Sequence, residues 1–127
     1  MVKYLLDNNA ISNFFSGLLS DKAIKFMADV INQTPNISVI TEIEALSWIA
    51  DEKSKEEIIR SFINESAVFT ITPEIVSECV KLRRGRKIKT PDAIIAATAI
   101  VHNFTLITND KDFSNIPGLI VIDPKSL

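Results

Sequence analysis

The sequence holds one cysteine, one histidine, one tryptophan, three glycines and five prolines in 127 residues. A lone cysteine excludes an internal disulfide, and Cys79 falls in the helical spacing Ile75, Cys79, Leu82, which reads as core packing. That usage agrees with a reducing, cytoplasmic setting. With only His102 and Cys79 to offer, both inside apolar helical patterns, a zinc site is disfavoured. So little glycine and proline argues against a disordered or low-complexity role. Long apolar runs are missing as well. The longest uncharged stretch, Ala93 to Asn109, carries Thr98, His102, Asn103 and Thr105 and changes from helical to strand spacing, so no membrane span is expected. The apolar run at the start is too short for a signal peptide and is broken by Asp7, so no targeting segment is expected.

What is present is ordinary for one soluble domain over residues 1–127: 46% hydrophobic, 24% charged and a formal charge of −2. That net charge points to no polyanion, so the distribution of charge matters more than its sum. Short β-branched or apolar runs at Val2–Leu6, Asn36–Ile40, Ala67–Ile71, Thr105–Thr108 and Leu119–Ile122 read as strands apolar on both faces. Helical patterns cover roughly Ala10–Gly17, Asp21–Asn32, Glu42–Asp51, Lys55–Asn64, Pro73–Arg84 and Pro91–Asn103. Ser20, Thr72 and Thr90 stand as capping hydroxyls before acid-bearing first turns. Such alternation predicts an α/β fold with a mostly parallel five-stranded sheet covered by helices on both faces, a three-layer α/β/α arrangement. Ligands of such sheets bind beyond the carboxyl ends of the strands, near a switch in strand order.

Acids stand at those ends. Asp7 follows the first strand, Glu42 and Glu44 the second, and Asp110 and Asp112 the fourth, while Asp92 opens the helix leading into the fourth. An oxygen-only cluster suits Mg²⁺ or Mn²⁺. Converging carboxylates repel one another and tend to take up protons, unless a cation neutralises them; such a cation can also activate water against a phosphodiester. Each acid also has a plainer use. Asp7 can cap the helix that follows it, Asp92 suits a helix N-terminus, and Asp110 and Asp112 suit a turn. Thr72-Pro73-Glu74 repeats the punctuation of Thr90-Pro91-Asp92 with no chemistry attached. Capping does not account for Glu44, set among Ile43, Ala45 and Leu46; Glu42 and Glu44, two apart, cannot share a helix face.

The stretch Lys81 to Lys89 holds six of the 14 basic residues and no acid. Gly85 is a candidate helix C-cap, and basic residues before it suit the helix dipole. Arg86, Lys87 and Lys89 lie beyond that cap. Beside an acidic metal site they would hold phosphates electrostatically. Base stacking is not indicated, because few aromatics are interleaved.

These pieces, in order and across essentially the whole chain, resemble the PIN-domain ribonucleases, specifically the VapC-type toxins of type II toxin–antitoxin pairs. The resemblance is carried by Leu5-Leu6-Asp7-Asn8-Asn9, by Ile37-Ser38-Val39-Ile40-Thr41-Glu42-Ile43-Glu44, by Thr90-Pro91-Asp92 with the small-residue helix behind it, by Leu106-Ile107-Thr108-Asn109-Asp110-Lys111-Asp112-Phe113, and by Ile116-Pro117-Gly118-Leu119. It implies a PIN-like fold and a Mg²⁺- or Mn²⁺-dependent endoribonuclease, dimeric and silenced by a VapB-like antitoxin. Carried over by position, Asp7, Glu44, Asp92 and Asp110 become the catalytic, metal-binding acids. Asn9 becomes the amide that orients the first aspartate, Thr108 the hydroxyl at the strand end and Asp112 an accessory acid. Arg83, Arg84, Arg86, Lys87 and Lys89 would position the RNA backbone. Asn8 departs from the family's usual threonine, and Glu44 is preferred to Glu42 because it follows Thr41 by three residues. The rival readings are another PIN-type nuclease of RNA or DNA processing and a catalytically inactive PIN binding module.

Overall fold

The computed structural model describes residues 1–127. Its elements are β1 (Tyr4–Leu6), α1 (Asn8–Phe15), α2 (Asp21–Asn32), β2 (Asn36–Ser38), α3 (Val39–Leu46), α4 (Lys53–Asn64), β3 (Ala67–Phe69), α5 (Pro73–Gly85), α6 (Thr90–His102), β4 (Thr105–Ile107) and β5 (Val121–Ile122). The five strands lie in the order β3-β2-β1-β4-β5, and every neighbouring pair is parallel. Parallel neighbours require crossovers, and pairs of helices supply those between β1 and β2, β2 and β3, and β3 and β4.

Burial follows from the period of two along each strand. Leu5 and Leu106 enter one core with Ile75, Ala96 and Phe113. Their neighbours Leu6 and Ile107 enter the other, with Ile11, Met27, Ile37 and Phe62. All four of these strand residues are fully buried, and each full burial contributes roughly 1.5–3 kcal/mol. A charge at any of them would therefore open a whole layer. β3 and β5 are the edges, and their residues are only partly buried or exposed. The expectation of strands apolar on both faces holds for the centre of the sheet and fails at its rims, where each strand has one neighbour.

Three local readings need correction. Val39 and Ile40, β-branched and read as strand, form the first turn of α3, because Ser38 leaves the strand and its hydroxyl accepts from Ile40 N at 3.1 Å. Thr90 does not cap α6; it lies inside the helix, with Lys89 at the cap position and no side-chain capping bond. Gly85 is the last residue of α5, and the extended Arg86 takes the cap position. Ser20 and Thr72 do cap, accepting from Ala23 N at 3.1 Å and Ile75 N at 3.3 Å.

The chain builds outward from β1 through β2 to β3, then returns to the other side of β1 as β4. The switch in strand order lies between β1 and β4, with Asp7 and Thr108 the residues that immediately follow these two strands. No helix is long and apolar enough to cross a membrane.

Candidate metal centre

Asp7 is the residue at which β1 becomes α1. Its N–H continues the ladder to the Ile107 carbonyl at 3.0 Å, and its own carbonyl accepts from Ala10 N at 3.1 Å and Ile11 N at 3.3 Å. The side chain caps the helix, with Oδ1 accepting from Asn8 N at 2.8 Å. Oδ2 accepts from the Thr108 hydroxyl at 2.8 Å and from Asn9 Nδ2 at 3.1 Å. Capping and fixation in a crevice are thus done by different oxygens of one carboxylate.

Thr108, 1% exposed, ties this corner together. While donating to Asp7, its hydroxyl accepts from Asn9 Nδ2 at 3.0 Å and from Asp110 N at 3.1 Å. Asn9 Oδ1 accepts from Asn109 N at 3.0 Å, so a single amide bridges the ends of β1 and β4. The Asp110 carboxylate in turn caps a short 3-10 turn, accepting from Asp112 N at 2.9 Å.

Asp92, Asp110 and Asp112 each offer a carboxylate oxygen within 4.8 Å of the others. Asp112, expected as an accessory, therefore belongs to the tightest acidic group. Asp7 and Glu44 lie outside that trio but within its electrostatic reach. Burial pushes the Asp7 carboxyl above its usual range against three hydrogen bonds that pull it down, and the charge of Asp110 adds to the rise. Glu44 is pushed up by partial burial, then by the charges of Asp7 and Asp92. Asp92 is pushed up by partial burial, then by Asp110, Asp112 and Asp7, with Lys89 opposing. Glu44, one of two acids that spacing alone left open, is coupled to Asp7 and Asp92.

The chemistry of this donor set fits a hard divalent cation. It is built of carboxylate oxygens with no thiolate or imidazole among them, and burial, then neighbouring carboxylates, raise the Asp7 and Asp92 carboxyls above their usual range. Cys79 is buried in a core, where burial pushes its thiol up, and His102 packs against Phe69 and Phe104. Asp92, Asp110, Asp112 and Asp7 could hold the ion.

The basic stretch divides. Arg86 is half-buried and donates to the Asn115 carbonyl at 3.0 Å; Arg83 donates from Nε to the Ile88 carbonyl at 3.3 Å. Both therefore brace the α5–α6 connection. Arg83, Arg84, Lys87 and Lys89 are exposed, and Lys89 is near enough to Asp92 to act on its charge.

One feature went unread in the sequence. A groove of about 590 Å³ runs beside Glu44 and Asn8 between α1, α3 and α4, lined by Phe15, Trp48, Ile58 and Ile59. Trp48 and Ile58 are about half exposed, at 46% and 51%. The available signal was Leu46, Trp48 and Ile49 crowded after Glu44, more apolar surface than a helix end needs.

The sequence matches the PIN domain family over residues 4–119. A toxin–antitoxin complex from Klebsiella pneumoniae contains a chain 32% identical, with a TM-score of 0.76, covering 96% of this chain and 98% of that one. A chain of VapBC2 from Rickettsia felis, solved bound to a DNA fragment from the promoter, is 25% identical with a TM-score of 0.73, covering 96% and 98%. FitAcB from Neisseria gonorrhoeae shares the fold at a TM-score of 0.80 and 22% identity, covering 98% and 99%. No curated protein matches in sequence. A match that spans nearly the whole sheet and every acid of the crevice is decisive: the chain belongs to the PIN-domain family.

Proposed function

We propose that the chain is a Mg²⁺- or Mn²⁺-dependent endoribonuclease and the toxin of a VapBC-type toxin–antitoxin pair. The observation that carries this reading is the convergence of Asp92, Asp110 and Asp112 within 4.8 Å, with Asp7 and Glu44 coupled to them, at the strand-order switch of a PIN fold. A catalytically inactive binding module has no use for acids held so close against their own repulsion.

The catalytic and metal-binding roles fall to Asp7, Glu44, Asp92 and Asp110, with Asp112 completing the group. When bound, the cation supplies Lewis acidity to the attacking water and the leaving oxygen. Thr108 and Asn9 keep the Asp7 carboxylate still, so that it presents one geometry to the crevice. Glu44, exposed and within electrostatic reach of Asp7 and Asp92, polarises the site and can take a proton from water. Arg84, Lys87 and Lys89 are free to meet phosphates, which positions the RNA backbone without selecting its sequence.

The partners follow from exposed apolar surface. The Phe15–Trp48–Ile58 groove suits the apolar face of an antitoxin helix, which would also cover the acids. Val76 and Val80, one turn apart on α5 and each 50% exposed, suit a second copy of the chain. RNA cleavage by the purified chain with Mn²⁺, lost on chelation and in Asp7→Asn, together with growth arrest relieved by the neighbouring gene's product, tests the proposal. Cleavage without such relief returns the chain to the processing nucleases. No cleavage, with Asp7→Asn indistinguishable from the parent, leaves an inactive module.

A further inference from the structure

The groove beside the acids changes character along its length. On α1 its lining begins at Asn8, next to Asp7, continues at Ser12 and reaches Phe15. At 1.5 Å per residue that last step lies about 10 Å from the first. Residues four apart share a helix face, so Asn8 and Ser12 stand one turn above the other. Glu44 and Trp48, also four apart, line the groove from α3 and the turn that ends it. The groove is continuous with the metal centre at this end, because Glu44 is coupled to Asp7 and Asp92 and Asn8 donates its backbone N–H to Asp7 Oδ1 at 2.8 Å.

The side chains at that end are unengaged. Of the serines in the lining, Ser16 donates to the Asn13 carbonyl at 3.3 Å and Ser47 to the Ile43 carbonyl at 2.6 Å. The Ser12 hydroxyl and the Asn8 amide make no hydrogen bond within the chain, whereas the neighbouring Asn9 amide bridges Asp7, Thr108 and Asn109. The aromatic walls differ in the same way. Phe15 packs edge-on against Phe14 and Phe62, with centroids 5.2 and 5.4 Å away, while Trp48 pairs with no other ring and is 46% exposed. Lys55, also in the lining, pairs only with the exposed Asp51, a surface contact that another anion can replace.

An apolar helix face suits Phe15 and Ile58 at the far end and gives nothing to a free amide and hydroxyl. An unpaired nucleobase has a π-face for an aromatic side chain and a polar edge for donors and acceptors. A carboxamide presents one donor and one acceptor side by side, which is what bidentate reading of a base edge requires. The groove, about 590 Å³, is of the size that holds small ligands. We infer that its acid-proximal end is a nucleobase seat: the base beside the scissile phosphate stacks on Trp48 while Asn8 and Ser12 read its edge. These residues select the cut site, a task the exposed lysines cannot perform. An antitoxin helix laid along Phe15 and Ile58 would cover the seat, so base and antitoxin are alternatives. This inference rests on the ribonuclease reading above.

Trp48 is the chain's one tryptophan, so its fluorescence reports on the seat directly. The probes are the 5′-monophosphates of adenosine, cytidine, guanosine and uridine with Mg²⁺, and ribose 5-phosphate as the control without a base. At least one nucleotide is expected to quench Trp48 saturably and to bind about tenfold tighter than the weakest, with no quenching by ribose 5-phosphate. Asn8→Ala should weaken the preferred nucleotide about tenfold and level the four. Ser12→Ala, one turn from the acids, should act in the same direction. In a random-sequence RNA pool the parent should favour the same base beside the cut, and both variants should flatten that bias, while Lys87→Gln slows cleavage and leaves the bias in place. No quenching by any nucleotide, equal quenching by ribose 5-phosphate, or base preferences unchanged in Asn8→Ala and Ser12→Ala overturns the seat; cleavage of the pool then keeps the nuclease reading. Nucleotides that bind while no RNA is cleaved with Mg²⁺ or Mn²⁺ overturn the nuclease reading, and the seat as a substrate site with it.

Discussion

The hydroxyl of Thr108 donates to Oδ2 of Asp7 across 2.8 Å and 101 residues of chain. It is buried, and with the bonds of Asn9 to Thr108 and Asn109 it joins the ends of β1 and β4. Thr108→Val keeps the shape and removes the donor to Asp7 together with the acceptor for Asp110 N and Asn9 Nδ2. Losing partners for buried polar groups costs roughly 1–3 kcal/mol. The expected outcome is a lower denaturant midpoint, a further rise in the Asp7 pKa and at least tenfold slower RNA cleavage. Thr108→Ser should recover most of the loss, and denaturation beside single-turnover cleavage checks both arms.

Asp7, Glu44 and Asp92 all have carboxyls raised above their unfolded values. For a raised acid the folded state binds more protons than the unfolded state between the two pKa values, so stability falls as pH rises through that window. The metal-free protein is therefore expected to be more stable at mildly acidic pH than at neutrality. Millimolar Mg²⁺ or Mn²⁺ should raise the melting temperature at neutral pH and have little effect once the acids are protonated. Asp7→Asn removes a buried charge while keeping a side chain that can still cap α1. It should melt at or above the metal-free parent at neutral pH, yet lose the stabilisation by metal and about a hundredfold or more in cleavage. A thermal-shift series over pH and metal concentration measures every part of this.

How much of this was legible in the sequence depended on whether the signal was local. The central strands, the order of elements and the acids after the strands could be read because apolar runs and their punctuation sit next to each other. Val39 and Ile40 misled because β-branching favours strand, and a tertiary demand, that Ser38 leave the sheet at the crevice, overrode it. Gly85 misled because the chain beyond it turns away as an extended Arg86, so no left-handed cap was needed. The nearness of Asp112 to Asp92 depends on a distance between separate segments, which no spacing rule carries. The acid in Glu44 could be chosen over Glu42 only by family spacing, whereas its coupling to Asp7 and Asp92 is a property of the fold.

The basic stretch gives a prediction that separates two jobs. Exposed Lys87 and Lys89 are expected to contact phosphates, while Arg86 braces the connection through Asn115. Lys87→Gln and Lys89→Gln should each weaken RNA binding at low salt and reduce the slope of log affinity against log salt by about one. Neither should move the melting temperature by more than about half a kcal/mol in stability. Arg86→Gln should do the reverse, costing about 1 kcal/mol of stability for the lost bond, with a smaller change in salt slope. Fluorescence anisotropy at several salt concentrations, beside thermal unfolding, resolves the two patterns.

The groove beside Glu44 carries the prediction about silencing. Trp48 is half exposed on its rim, an expensive way to display a tryptophan unless a partner covers it. Buried aromatic anchors dominate interfaces, and truncating one commonly costs 2 kcal/mol or more, about thirtyfold in affinity. Trp48→Ala should therefore weaken the complex with the antitoxin by about that factor, mainly through faster dissociation. Inhibition of RNA cleavage should then need correspondingly more antitoxin, which a titration of cleavage rate against antitoxin concentration measures directly. Unchanged inhibition in Trp48→Ala, with Phe15→Ala and Ile58→Ala equally silent, would move the antitoxin to another face.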